Sequence, residues 1–161
     1  MAYFTREELL ELLPFGRDFL FLDSARVLEN EYRTVGSYCV RFPEQSVIME
    51  SHFPGTPIFP GHLQMEAAAQ LAALLMMEKG NGNGNGIGGY MPLMGHSSFD
   101  IELFAVSGDG IQIEVELGEK IGKQVTFFGM VSGKGGVSLG VIKGRAIPKG
   151  ALQRMSKMAK A

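Results

Sequence analysis

From Gly61 to Lys79 the chain carries no proline and no internal glycine, and Leu, Met, Ala, Glu and Gln fill the run. Strong helix formers in such a stretch predict a helix of about five turns at 3.6 residues per turn. Its apolar positions lie on nearly every side, the pattern of a helix enclosed within a domain. Three residues break that pattern. His62, Glu66 and Gln70 are spaced four apart, so they form one polar stripe on an otherwise apolar helix. The segment before it, Ser51 to Pro60, is punctuated by Pro54, Gly55, Pro57 and Pro60 and reads as an ordered loop.

Upstream, Thr5 followed three residues later by Glu8 has capping-box spacing, and Leu9, Leu10, Leu12 and Leu13 predict a short helix ending at Pro14. Phe19 to Glu29 reads as a strand and Thr34 to Phe42 as its partner, with a turn at Asn30 to Arg33. After the central helix, Gly80 to Gly89 is a low-complexity Asn-Gly connection. From Tyr90 onward the pattern is β. Tyr90 to Phe104, Ile111 to Glu119, Gln124 to Ser132 and Val137 to Ile147 read as strands, broken by turns at Ser107 to Gly110, Lys120 to Lys123 and Gly133 to Gly136. Ile111, Ile113, Val115 and Leu117 alternate with Gln112, Glu114 and Glu116, giving one buried and one solvated face. Together these elements predict an α+β fold in which an antiparallel sheet wraps a long central helix.

Composition narrows the class. At 161 residues, 45% hydrophobic and 20% charged, the chain reads as a single globular domain over residues 1–161. The longest apolar run, around Leu71 to Met77, is too short to cross a bilayer, and the N-terminus lacks a basic segment followed by an apolar core. The expectation is a cytoplasmic protein. Cys39 is the only cysteine, which excludes an intrachain disulfide and a thiolate metal cluster. A net charge of −2 argues against general nucleic-acid binding. The tail from about residue 149 differs, because Lys149, Arg154, Lys157 and Lys160 meet no acidic residue after Glu119.

Two glycine motifs carry no nucleotide chemistry. Gly84, Gly86 and Gly89 have GxGxxG spacing but run from a helix into a strand, the reverse of a dinucleotide site. Gly133-Lys134-Gly135 lacks P-loop spacing and the following Ser or Thr. His62 and Glu66 do not form an HExxH pair, so neither a metal nor a cofactor is expected. The polar stripe is the better candidate. A carboxyl on a buried helix must be paired, hydrogen-bonded or protonated, which makes Glu66 a candidate acid. Gly61 opens the helix, where free amide groups and the positive end of the dipole suit an oxyanion. His52 lies in the loop that leads there.

His52-Phe53-Pro54-Gly55, Pro60-Gly61, Glu66-Ala67 and Gln70 resemble the signature of the 3-hydroxyacyl-acyl carrier protein dehydratases of bacterial type II fatty acid synthesis. Leu13-Pro14, Arg17, Phe19 to Asp23 and Arg26 to Glu29 extend the resemblance, which covers roughly residues 5 to 148. It implies a hot-dog fold and a dimer, or a higher oligomer of dimers, with a continuous sheet. It further implies that His52 removes the C2 proton and that Glu66 protonates the departing 3-hydroxyl, the two coming from different subunits. Gly61 would hold the thioester oxygen, and Gln70 would orient the carboxyl or serve as a buried structural amide. His62 departs from the family, where an apolar or small residue usually follows Pro-Gly. It is counted with the substrate-binding residues, a satisfied helix-start histidine being the alternative. The implied partner is an acyl carrier protein, for which the basic tail is a docking candidate. A hot-dog thioesterase and a non-catalytic acyl-binding subunit are the rival functions, separated by whether free thiol, a conjugated double bond or neither appears.

Overall fold

The computed structural model describes residues 2–28, 33–39, 51–56, 58–80, 90–91, 98–101, 104–106, 108–121, 124–133 and 138–148. Strand β1 (Ala2–Thr5) leads into helix α1 (Arg6–Leu12), then come a 3₁₀ turn (Arg17–Phe19), β2 (Ser24–Val27) and β3 (Arg33–Cys39). Helix α2 (Gly61–Gly80) is followed by β4 (Tyr90–Met91), β5 (Ser98–Ile101), β6 (Gly110–Ile121), β7 (Gln124–Ser132) and β8 (Ser138–Pro148). Among the described residues the strands form one antiparallel sheet in the order β1-β2-β3-β6-β7-β8-β4, with β5 also on β8. Helix α2 packs across β6, β3 and β7, so the sheet wraps the helix as expected.

Burial explains why that helix has no amphipathic stripe. None of the ten residues from Ala67 to Met76 is more than 4% exposed. The sheet covers one side, while Leu20, Phe21, Leu22 and Phe59 belong to the same continuous core. Small residues set the helix close to the sheet. A Cβ at Gly129 would stand 3.0 Å from Ala68 Cβ, and one at Gly36 would stand 3.0 Å from Leu71 Cδ1. The β6 alternation holds as read, with Ile111, Ile113, Val115 and Leu117 buried and Gln112 and Glu116 exposed. No helix among the described residues is long and apolar enough to cross a membrane.

The capping box at Thr5 and Glu8 is present, the Glu8 carboxylate accepting from Thr5 N at 2.7 Å. The strand read from Phe19 to Glu29 is shorter than expected. Leu20, Phe21 and Leu22 are all fully buried, yet only Ser24–Val27 is strand. The backbone from Phe19 to Phe21 bonds to a side chain instead of a neighbouring strand. Gln70 Oε1 accepts from Phe21 N at 2.9 Å, and Gln70 Nε2 donates to Phe19 O at 2.7 Å. From the other side, Arg6 donates to Leu22 O at 2.8 Å and to Arg17 O at 3.0 Å. Strand β1 has no counterpart in the sequence reading; it pairs with β2 over Ala2 to Thr5, too short a run to show alternation.

Of the single strand read over Tyr90 to Phe104, the described residues include two strands, β4 and β5, both paired with β8. From Met91 to Ser98 the chain advances seven residues while β8 advances four, from Ile147 to Lys143, so the two pair in different registers. Of the turn read at Ser107 to Gly110, the described residues keep the turn geometry: Gly108 has φ +88°, and Asp109 Oδ2 accepts from Val106 N at 2.8 Å. Residues 29–32, the Asn-Gly connection at 81–89, the Gly133 turn beyond its first residue and the tail from 149 lie outside the described residues.

Gln70 is therefore a structural tie as well as part of the stripe. Replacing it with Leu leaves the buried Phe21 N–H and the Phe19 carbonyl without their partner, and each unmet buried group costs about 1–3 kcal/mol. Urea unfolding of Gln70→Leu should show a loss of about 2–4 kcal/mol. A loss within 0.5 kcal/mol of zero, about what a neutral surface change gives, would show that the tie is not needed.

Candidate active site

The loop before α2 is shaped by its own backbone. Phe53 N donates to Thr56 O at 3.3 Å and Thr56 N to Phe53 O at 2.9 Å, closing a tight turn through Gly55, whose φ of +80° suits only glycine without strain. Ile58 N donates to His52 O at 3.0 Å, and Phe59 N donates to Ala105 O at 2.7 Å, pinning the loop to the chain that follows β5. Ile58 and Val106 add an isolated antiparallel bridge. Nothing in the sequence reading anticipates the role of Ala105 and Val106, since that contact joins positions far apart in the chain.

His52 is half-buried within this loop. Its ring stacks on Phe53 with centroids 4.3 Å apart, and its Nδ1 lies 3.4 Å from Ile58 O. A carbonyl only accepts, so the proton in that contact sits on Nδ1 and the free lone pair is on Nε2. The imidazole is thus presented as a base through Nε2.

At the helix start, Pro60 O accepts from Leu63 N at 2.9 Å and from Gln64 N at 3.3 Å. The Gly61 N–H has no hydrogen-bond partner among the described residues, and it stands at the positive end of the α2 dipole. It is available to an oxyanion.

The polar stripe is graded in depth. His62 is exposed, Glu66 half-buried and Gln70 fully buried. Gln70 Nε2 donates to Glu66 Oε1 at 3.2 Å. Burial pushes the Glu66 carboxyl up from its ordinary 4.5, and the Gln70 hydrogen bond offsets this only in part. The amide orientation of Gln70 is dictated by Phe21, whose N–H needs an oxygen acceptor. Oε1 of Glu66 therefore receives an N–H, and the proton of a neutral Glu66 belongs on Oε2. The stripe presents a carboxyl with a raised pKa whose Oε1 is held by the Gln70 amide.

The single chain brings Glu66 and Gln70 together, with His62 one turn away. It does not join His52 to Glu66: among the described residues no hydrogen bond or ion pair links them. One polar residue escaped the sequence reading. Gln64 is buried on the sheet-facing side of α2, in helical register with Ala68, Leu71 and Leu75, and its Nε2 has no hydrogen-bond partner among the described residues. A glutamine amid apolar helix positions was its only signal.

Comparison with known proteins places the chain in a family. A family model described as a FabA-like domain matches residues 13–138. The chain is 33% identical over 114 residues to the 3-hydroxyacyl-acyl-carrier-protein dehydratase FabZ of Clostridium acetobutylicum, covering 69% of this chain and 74% of that one. It is 30% identical over 144 residues to the enzyme of the same name from Herpetosiphon aurantiacus, covering 86% and 98%. In structure it resembles a Thermus thermophilus hypothetical protein of the thioesterase superfamily, with TM-score 0.64 and 15% identity over 84% of this chain and 95% of that one. A Streptococcus pneumoniae hypothetical thioesterase solved with coenzyme A gives TM-score 0.56 at 10% identity, over 77% and 83%. At those identities the structures speak for the fold alone, the hot-dog arrangement of a sheet around one helix. With the family match spanning most of its length, the chain belongs to the FabA-like family.

Proposed function

We propose that this chain dehydrates 3-hydroxyacyl-acyl carrier protein to trans-2-enoyl-acyl carrier protein, a step of fatty acid or related acyl-chain biosynthesis. The observation that carries the reading is Glu66: a carboxyl with a raised pKa, held by Gln70 so that its proton points from Oε2, on the buried helix of a chain whose relatives are named as this dehydratase. Such a group donates a proton better than it accepts one.

His52 Nε2 takes the proton from C2, and the negative charge that develops on the thioester oxygen is met by the Gly61 N–H and the α2 dipole. Glu66 gives its proton to the 3-hydroxyl as the C3–O bond breaks. The electron pair of the C2–H bond becomes the new double bond, and water leaves. Each proton has a source and a destination, and no cofactor is needed.

In this reading the site is completed by a second copy. His52 and Glu66 are not joined within one chain, while Phe53, Phe104 and Val106 are exposed around the His52 loop and β5 lies beside β8 with an open edge among the described residues. A partner chain adding its own edge there would extend the sheet and cover those apolar side chains. The acyl chain would arrive on an acyl carrier protein, with the basic tail from residue 149 as its docking element. His62 and Gln70 stand beside the reacting acid rather than on it.

Three outcomes test this. Wild-type protein should interconvert 3-hydroxyacyl and enoyl thioesters, followed by enoyl absorbance, and His52→Ala and Glu66→Gln should each lower kcat by about 10²–10⁴-fold. Release of free thiol without a double bond would make it a thioesterase. Mixing the two inactive variants under exchange should restore activity, because a mixed dimer has one intact site; no recovery after demonstrated exchange would place both residues in one chain. Thermal unfolding against pH tests the Glu66 environment. A carboxyl whose folded pKa is raised binds its proton more tightly when folded, so its contribution is fully present below about 4.5 and is lost as pH climbs through the raised value. The Tm of wild type relative to Glu66→Gln should therefore fall as pH rises across that window; a relative Tm that rises instead would mean the carboxylate is stabilised by folding.

A further inference from the structure

The polar stripe contains one more group than the dehydration step uses. After each turnover Glu66 Oε2 is left as a carboxylate and must regain a proton. Its inward side cannot supply one. Gln70 is an amide, and both hydrogens of its Nε2 are committed, one to Phe19 O at 2.7 Å and one to Glu66 Oε1 at 3.2 Å. Ala69, one of the residues three and four positions away that share the Glu66 face, is buried and apolar, and Leu63 is half-buried and apolar. The remaining neighbour at that spacing is His62, which is exposed and stands one turn towards solvent.

We propose that His62 is the proton relay that recharges Glu66. Imidazole is the side chain whose ordinary pKa lies near neutrality, so it can take a proton from water and hand it on. As imidazolium, His62 gives a ring proton to Glu66 Oε2 and regains one from solvent, while the proton that His52 took from C2 leaves to solvent. The protons balance over the cycle, and none is consumed. The graded burial of the stripe sets the direction: the fixed amide at the closed end aims the carboxyl, and the exposed imidazole at the open end loads it. His62 acts through Glu66 and is a positioning residue in the proton path, a role distinct from binding the acyl group.

This rests on the dehydratase reading, and the test separates the two. Steady-state dehydration of a 3-hydroxyacyl thioester, followed by enoyl absorbance, is measured for wild type, His62→Ala and His62→Asn, in a non-nucleophilic buffer with and without added imidazole. Both variants should lose about tenfold in kcat with KM unchanged, and free imidazole should restore most of the His62→Ala loss while leaving wild type and Glu66→Gln unmoved. Circular dichroism melts of both variants check that each is folded at the assay temperature. Unchanged kcat in both variants overturns the relay, as does a loss that imidazole does not repair or a change confined to KM. Wild type that forms no enoyl thioester from the 3-hydroxyacyl thioester overturns the dehydratase reading itself, and the relay with it.

Discussion

A helix enclosed on every side has no water to offer a polar side chain, and at the centre of α2 that constraint falls on Gln70. Its oxygen must meet the Phe21 N–H, which fixes the amide plane and turns the nitrogen towards the Phe19 carbonyl and Glu66. Two consequences follow from one rotamer. The chain from Phe19 to Phe21 gains hydrogen bonds that a neighbouring strand would otherwise supply, so three consecutive buried residues persist outside the ladder. The Glu66 carboxyl gains a donor on one oxygen, so its proton is directed from the other. Structure and chemistry share the same hydrogen bonds.

The closeness of helix and sheet makes this possible. Alanines crowd the middle of α2, and the facing strands answer with Gly36 and Gly129, where a side chain would press on Leu71 or Ala68. Gly144 has a different neighbour: it pairs across the ladder with Phe127, whose ring covers the space that a Cβ would need. Such packing excludes water, which is what raises the Glu66 pKa and makes an unpartnered amide such as Gln64 Nε2 conspicuous. At the helix start the packing relaxes, and there the polar stripe reaches the surface.

Much of this was legible in the sequence because the signals are local. The α2 boundaries follow from glycine and proline punctuation, the Thr5 cap from a three-residue spacing, and the β6 faces from alternation over Ile111 to Leu117. The stripe of His62, Glu66 and Gln70 needs only 3.6 residues per turn. Where the reading missed, a distant partner had intervened. Phe19 to Phe21 has the composition of a strand, but a side chain 49 positions further on takes the Phe21 N–H. Tyr90 to Phe104 reads as one strand, but β4 and β5 meet β8 in different registers.

By itself the sequence marked which residues are candidates for the chemistry, because an ionisable group on an apolar helix beside a Pro/Gly loop can be recognised from composition and spacing. Only the tertiary structure decided how they are set. Depth along α2, the rotamer of Gln70, the oxygen of Glu66 that the amide leaves clear and the His52 nitrogen that the Ile58 carbonyl leaves clear all depend on how the fold packs around them. Periodicity tells which side chains share a face of one element, while burial and hydrogen-bond partners belong to whatever the fold brings against that face.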